Sequence, residues 1–96
     1  MIAVRQTEEF SGWLRRLQDD RAKARIAVRI ARMALGNPGD AKNVGKGVME
    51  MRIDYGPGYR VYYTHRGAEI VILLCGGDKR TQRQDIKRAQ ELAERQ

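Results

Sequence analysis

Residue types that build disulfides and metal sites are nearly absent from this sequence. It contains one cysteine and one histidine. A single cysteine cannot form an internal disulfide, and Cys75 lies in an apolar run, where cysteine is normally a small buried hydrophobe. Such cysteine usage is typical of a reducing compartment. We therefore expect a cytoplasmic protein that has no metal site and no cofactor.

Long apolar runs are absent as well. The longest run, Ile70 to Cys75, has six residues, whereas a membrane-spanning helix needs about 20. The segment Met1 to Phe10 lacks the apolar region of a signal peptide. We expect no membrane association. A chain of 96 residues, 42% of them hydrophobic, is sufficient for one domain, residues 1–96, around a modest core.

Basic residues outnumber acidic residues, and one stretch contains no acidic residue. Nineteen Lys and Arg residues oppose twelve Asp and Glu residues, which gives a formal net charge of +7. A small domain this basic favours a polyanionic partner, most often nucleic acid, over a surface that is merely well solvated. Between Asp20 and Asp40 the chain has no acidic residue, so the cations there have no neighbouring counter-charge.

The N-terminal part predicts a strand and two helices. Apolar residues from Ile2 to Val4 are typical of a short strand, and Thr7 is a suitable N-cap for a first amphipathic helix. The second helix is predicted over Arg21 to Leu35, and its arginines are spaced four, four and three residues apart. At 100° per residue they fall within about 80°. We interpret this arginine row as a surface for phosphate contacts, with an ordinary solvated helix face as the alternative. The row consists of Arg21, Arg25, Arg29 and Arg32.

The remainder of the chain predicts three strands and one helix. Alternation predicts a strand over Val48 to Tyr55, and the turn Gly56 to Gly58 leads into another over Tyr59 to Thr64. The stretch Glu69 to Cys75 is mostly apolar on both faces, as in a central strand. A narrow apolar stripe over Thr81 to Arg95 predicts the last helix.

The predicted fold is therefore α+β, in the order β-α-α-β-β-β-α. Two N-terminal helices would pack on one face of a small, mainly antiparallel twisted sheet. The other face would stay partly open, because Arg52, Arg60 and Tyr62 alternate with the apolar residues of their strands.

Two segments carry a resemblance to a known family. They are MRIDYGPGYRVYY, Met51 to Tyr63, and LLCGGDKRTQRQDIKRAQELAE, Leu73 to Glu94. Together they resemble the RelE/ParE toxin superfamily, and more closely its HigB-like branch of addiction module killer proteins. The resemblance implies a RelE-like fold and a toxin that is neutralised by a cognate antitoxin, usually a small helix-turn-helix protein. It also implies that the free toxin binds the ribosome and cleaves mRNA in the A site without a metal ion.

Metal-free RNA cleavage uses the substrate's own 2′-hydroxyl as the nucleophile. The enzyme must position this group, neutralise the phosphate and move protons. On the resemblance, we assign Arg52 and Arg60 to the scissile phosphate, Tyr62 to a base, and Lys79 to proton transfer. The predicted RNA- and ribosome-binding residues are Arg21, Arg25, Arg29, Arg32, Lys46 and Arg80.

Each catalytic assignment has a structural alternative. Arg52 could pair with Glu50 or Asp54 on the surface of the sheet. Tyr62 could simply pack in the sheet, and Lys79 could cap the region where the last helix begins. No tyrosine or histidine follows His65, so catalysis by electrostatics and positioning alone also stays open.

Two other functions are compatible with the same features. A ParE-like toxin would poison DNA gyrase and cleave no RNA, and a non-catalytic module would bind nucleic acid through the arginine row. The GGDK segment, Gly76 to Lys79, and an outward-facing Arg60 favour the nuclease, although one fold can serve several functions.

Overall fold

The computed structural model describes residues 1–96 and is an α+β structure with three α-helices and a five-stranded sheet. The elements are β1 (Ala3–Gln6), α1 (Glu8–Arg16), α2 (Asp20–Ala34), β2 (Ala41–Asn43), β3 (Val48–Ile53), β4 (Tyr59–Arg66), β5 (Ile70–Gly77) and α3 (Gln82–Glu94). A short 3₁₀ turn, Lys79–Thr81, joins β5 to α3. None of the helices combines the length and the apolar character that a membrane crossing requires.

Polar caps fix where the helices begin. The Thr7 hydroxyl accepts a hydrogen bond from the Phe10 amide, and two glutamates in the first turn of α1 suit the positive end of the helix dipole. The Asp19 carboxylate accepts from the amides of Arg21 and Ala22 and so begins α2. The predicted start of α1 is thereby confirmed.

The sheet has the order β1-β5-β4-β3-β2. β1 runs parallel to β5, and the other neighbours are antiparallel. The register is irregular at Tyr62 and Tyr63, which face Cys75 and Leu73 of β5. Leu74 is therefore an extra residue on β5, as in a β-bulge. The predicted central strand is confirmed, because β5 has a neighbour on each side.

The sheet is covered on both faces, so the prediction of a partly open face is wrong. Helices α1 and α2 pack on one face through Phe10, Ile26 and Met33. Helix α3 packs on the other face, where Ala89 and Leu92 contact a second core. The sheet residues of that second core are Val48, Tyr62, Ile72, Leu74 and Cys75.

The chain order also differs by one strand. Ala41–Asn43 forms β2, which pairs antiparallel with β3 at the edge of the sheet. No strand is predicted here from the sequence, because three residues are too few to show a strand period. β5 also runs two residues further than Cys75, through both glycines.

Gly76 and Gly77 do not bend the chain, because both continue β5. Close packing against two helices requires glycine at these positions. A methyl group on Gly76 would overlap the ring of Trp13 on α1, and one on Gly77 would overlap the carboxylate of Asp85 on α3. Only glycine lets both helices approach this end of β5 so closely.

Candidate functional site

A groove of about 250 Å³ lies where β3 ends, β4 begins and the 3₁₀ turn starts. Three of the four predicted catalytic residues, Arg52, Arg60 and Lys79, line it. Arg52 and Arg60 are direct cross-strand partners. We call this the arginine groove; its lining residues are Asp40, Arg52, Ile53, Asp54, Gly58, Tyr59, Arg60 and Lys79.

The turn before β4 holds the arginine groove together. Gly58 has a φ of +81°, and a side chain there would crowd Arg60 and contact Lys79. Its carbonyl accepts a hydrogen bond of 2.7 Å from Nη1 of Arg60. The Lys79 amide donates to the Pro57 carbonyl at 3.4 Å. The turn thus brings Lys79 beside two arginines that precede it by many residues.

A buried carboxylate lies beneath the groove. Glu50 is fully buried, and its Oε2 accepts hydrogen bonds from the Tyr62 hydroxyl at 3.0 Å and from Nε2 of Gln82 at 2.9 Å. The Nε atoms of Arg60 and Arg52 lie 3.6 and 3.7 Å from its two oxygens. The surface pairing considered for Arg52 therefore exists, but its partner Glu50 is internal.

This cluster is charged and incompletely hydrogen-bonded. Glu50 Oε1, Arg52 Nε and Arg60 Nε are buried atoms without a hydrogen-bond partner. Arg60 is only 7% exposed. Buried polar atoms are normally paired, so the arrangement holds two guanidinium groups against one carboxylate with donor capacity left over. The buried Nε atoms are out of reach of a ligand, whereas the Arg52 side chain is 41% exposed and can present its other donors to a phosphate group.

The groove also contains negative charge that the sequence did not suggest for a site. Asp40 and Asp54 line it, both are exposed, and neither forms an ion pair. Three cations and two carboxylates therefore face the same space. Side chains of both signs are what proton transfer at a phosphate ester requires, since one must accept and another must donate a proton.

Tyr62 does not lie on an open face, and that prediction is wrong. Its ring is fully buried in the second core and its hydroxyl donates to Glu50. Burial, and then the negative charge of Glu50, raise the pKa of Tyr62 above its usual range. The ring offers no surface for base stacking. The aromatic residue that does line the groove is Tyr59, half-buried and in edge contact with Trp13.

The arginine row on α2 lines a second and larger cleft of about 660 Å³ against the end of β3. We call this the α2 cleft. Its arginines are not equivalent. Arg29 is half-buried and donates to the main-chain carbonyls of Arg52, Pro38 and Asp40. Arg25 lies over the ring of Tyr55 at 4.6 Å. Arg21 and Arg32 are exposed.

The two other predicted binding residues lie outside the arginine groove. Arg80 forms an exposed ion pair of 2.9 Å with Asp78, which also caps the 3₁₀ turn. Lys46 is at the tip of the β2–β3 connection, with a φ of +55°, at the end of β3 away from Arg52. Their contact with RNA or the ribosome stays a prediction.

Cys75 is the buried hydrophobe that the sequence predicts. Its thiol donates to the Asp85 carbonyl at 3.7 Å. Burial raises the pKa of Cys75 to about 12, so the residue is not a thiolate nucleophile at neutral pH. In addition, no group of three or more His, Cys, Asp or Glu side chains in the molecule is arranged to hold a metal ion.

Comparison with known proteins places most of the chain in one family. Residues 12–96 match the family described as phage derived protein Gp49-like (DUF891). The chain is also similar to an uncharacterized protein of Haemophilus influenzae, with 52% identity over 93 residues, which are 97% of this chain and 94% of the relative. Both matches include β3, β4 and the GGDK segment, which together form the arginine groove.

Proposed function

Since the chain belongs to the Gp49-like family of phage-derived proteins, we propose that it is a toxin that cleaves mRNA on the ribosome without a metal ion. The Gp49-like family is part of the RelE/ParE-like toxin fold family and is associated with the toxins of toxin–antitoxin systems. Family membership thus supports a toxin with an antitoxin partner. The mRNA target, the ribosome and the closer kinship with the HigB-like branch are our proposal.

The observation that carries the proposal is the meeting of Arg52, Arg60 and Lys79 in one groove. These residues come from β3, β4 and the 3₁₀ turn, and the Gly58 turn packs against two of them. Charges that served only solubility would not require the Gly58 turn, which packs against them, or Glu50, which is a buried counter-ion. Two guanidinium groups and one ammonium group are instead suited to a phosphodiester.

The proposed reaction is an in-line attack of the 2′-hydroxyl on the adjacent phosphorus. The O2′–P bond forms and the P–O5′ bond breaks, which gives a 2′,3′-cyclic phosphate and a free 5′-hydroxyl. Arg52 and Arg60 bind the phosphoryl oxygens as negative charge develops on them. The Lys79 ammonium gives its proton to the leaving 5′ oxygen. Asp54 or Asp40 accepts the proton of the 2′-hydroxyl, and both groups then re-equilibrate with water.

Glu50 has a different task in this scheme. It is buried beneath the arginines and does not reach substrate, so we assign it as a positioning residue. Its carboxylate lies 3.6 and 3.7 Å from the Nε atoms of Arg60 and Arg52 and supplies the counter-charge that holds both guanidinium groups beside the groove. Tyr62 and Gln82 hold Glu50 in turn. Preorganised donors of this kind are worth more than mobile ones, since they need no rearrangement during the reaction.

Primer extension on a reporter mRNA in a reconstituted translation system tests the proposal. We expect cuts at fixed positions within codons, only on translated message, and lost in Arg60→Ala. Arg66→Ala is the matched control, because Arg66 is an exposed arginine at the other end of β4. If the protein arrests the growth of cells that express it but produces no cut, the proposal is wrong and another target such as DNA gyrase is indicated. Comparing Asp40→Asn with Asp54→Asn identifies the general base.

A further inference from the structure

Helix α2 has an apolar stripe on the side that faces away from the sheet. Its inner side is buried through Ala22, Ile26 and Met33. On the outer side, apolar residues recur at intervals of four, three and four, all of them exposed. Val28 is 48% exposed and Leu35 is 73% exposed, and apart from Met1 they are the large hydrophobic residues that the fold leaves exposed. We call this the apolar stripe; it consists of Ala24, Val28, Ala31 and Leu35.

The stripe has the spacing of a helix–helix contact. Residues at such intervals form one line along a helix, as in the seam of two packed helices. The small residues Ala24 and Ala31 allow a second helix to approach closely. Val28 and Ala24 also line the α2 cleft, whose inner wall is Ile53. The stripe therefore continues into a cleft with a volume of about 660 Å³ and is not an isolated patch.

Positive charge borders the stripe on one side. Arg21, Arg25 and Arg32 line the same cleft, whereas Asp54 is its one carboxylate. The helix itself has no acidic residue after Asp20. An occupant of the cleft would thus meet an apolar line beside a row of cations.

We propose that the apolar stripe and the α2 cleft bind an acidic amphipathic helix of a partner protein. Its apolar side would pack on Ala24, Val28 and Leu35, and its carboxylates would pair with the neighbouring arginines. In a toxin–antitoxin pair this partner is the antitoxin, and to that extent the inference rests on the proposed function. The location of the surface rests on the geometry of α2.

Charge and side-chain contacts favour this occupant over two others. A second copy of the chain would bring two arginine rows together with one carboxylate, Asp54, in each cleft to offset them, which is repulsive. RNA would gain nothing from Val28 or Leu35. RNA would also find Arg29 already committed to main-chain carbonyls.

A helix bound there would also reach the arginine groove. Ile53 and Asp54 line both the α2 cleft and the groove. Arg29, which lines the cleft, donates to the carbonyl of Arg52, which lines the groove. A helix in the cleft thus lies at the rim of the proposed RNA site and blocks access without touching Arg60 or Lys79.

Fluorescence anisotropy on the full chain tests the inference. The probe is a labelled 21-residue helical peptide with leucine and alanine at heptad positions a and d and glutamate beside them. We expect Val28→Asp to weaken binding at least about tenfold, because a charge would be buried in the apolar contact. Arg21→Glu combined with Arg32→Glu should weaken it similarly through like-charge repulsion. Arg83→Glu combined with Lys87→Glu, the same charge change at two exposed positions of α3, should leave binding within about twofold.

Further measurements separate the alternatives. Circular dichroism melting checks that each variant is folded. The inference is wrong if Val28→Asp binds the peptide normally, if sedimentation shows that the wild type dimerises through Val28, or if RNA alone displaces the peptide while Val28→Asp has no effect. Because Val28 lies outside the arginine groove, Val28→Asp should keep mRNA cleavage. Peptide binding without any cleavage would therefore count against the proposed function alone, and cleavage without peptide binding against this inference alone.

Discussion

Arg60 in the arginine groove and Arg32 on α2 are both predicted RNA contacts, yet their surroundings differ. Arg60 is nearly buried, donates to the Gly58 carbonyl and lies 3.6 Å from the buried carboxylate of Glu50. Arg32 is exposed, beside an apolar stripe. The sequence separates the two arginines only through the family resemblance and does not show that Arg60 is nearly buried while Arg32 is exposed.

The difference suggests two kinds of basic surface. Fixing a guanidinium group before the substrate arrives is useful when its geometry must match a reacting phosphate. A mobile guanidinium group on a helix face is adequate for attracting and pairing with a partner, where exact placement matters less. On this view the arginine groove is the site of chemistry and the α2 face is the site of docking.

The largest effect should come from changing the geometry of Arg60 while its charge is kept. We expect Arg60→Lys to lower mRNA cleavage by about 100-fold, because lysine lacks the planar fork that binds two phosphoryl oxygens. Primer extension on translated message measures the rate. Arg66→Lys is the control, and cleavage near the wild-type rate in Arg60→Lys would show that position 60 needs only a positive charge.

Glu50→Gln should lower mRNA cleavage less than Arg60→Lys does. Glutamine keeps the shape and can still accept from Tyr62, but it leaves the two arginines without their counter-charge. We expect the maximal cleavage rate to fall by about tenfold with little change in substrate affinity, since Glu50 positions and does not bind. Glu69→Gln, at an exposed position before β5, is the control. A lower melting temperature with unchanged kinetics would show that Glu50 serves stability only.

The arginine groove was predictable from the sequence in part. Strand alternation places Arg52 and Arg60 on one face, and the Gly56 to Gly58 turn puts them side by side. Lys79 is the last residue of the GGDK segment, which the family resemblance singled out. The α+β class and the two N-terminal helices follow from hydrophobic period and capping residues, which are local properties.

What could not be predicted depends on contacts between distant parts of the chain. Glu50 and Tyr62 alternate like surface residues, and they are buried because α3, some 30 residues later, packs over them. The glycine pair suggests a bend, but its cause is the approach of Trp13 and Asp85 from two helices. Strand alternation describes which residues share a face and does not state what covers that face.

Tyr62→Phe should affect stability more than activity and should do so in a pH-dependent way. Removing the hydroxyl takes one hydrogen bond from buried Glu50, which should cost about 1–2 kcal/mol near neutral pH. The raised pKa of Tyr62 means that the folded state favours the protonated phenol. That contribution is complete below the ordinary tyrosine pKa of about 10 and is lost as the pH rises above it.

Denaturant unfolding at pH 7 and at pH 10.5 measures both parts of this prediction. The wild type should lose more stability between these pH values than Tyr62→Phe does. Tyr59→Phe, which changes a half-buried tyrosine of the groove, is the control and should behave like the wild type. Equal alkaline losses in all three proteins would mean that burial and Glu50 do not raise the pKa of Tyr62.

The smallest effect on cleavage is expected from changing the exposed arginines of α2. This change tests whether they bind a partner protein or RNA. If Arg21 and Arg32 serve docking, Arg21→Glu combined with Arg32→Glu should leave mRNA cleavage within about threefold while it weakens binding of an acidic helix at least about tenfold. If they contact RNA instead, two phosphate contacts are lost, and the slope of log affinity against log salt for single-stranded RNA should fall by about 1.4. An unchanged slope would leave the arginine groove as the RNA site, whereas a reduced slope would make both basic surfaces parts of one RNA-binding track.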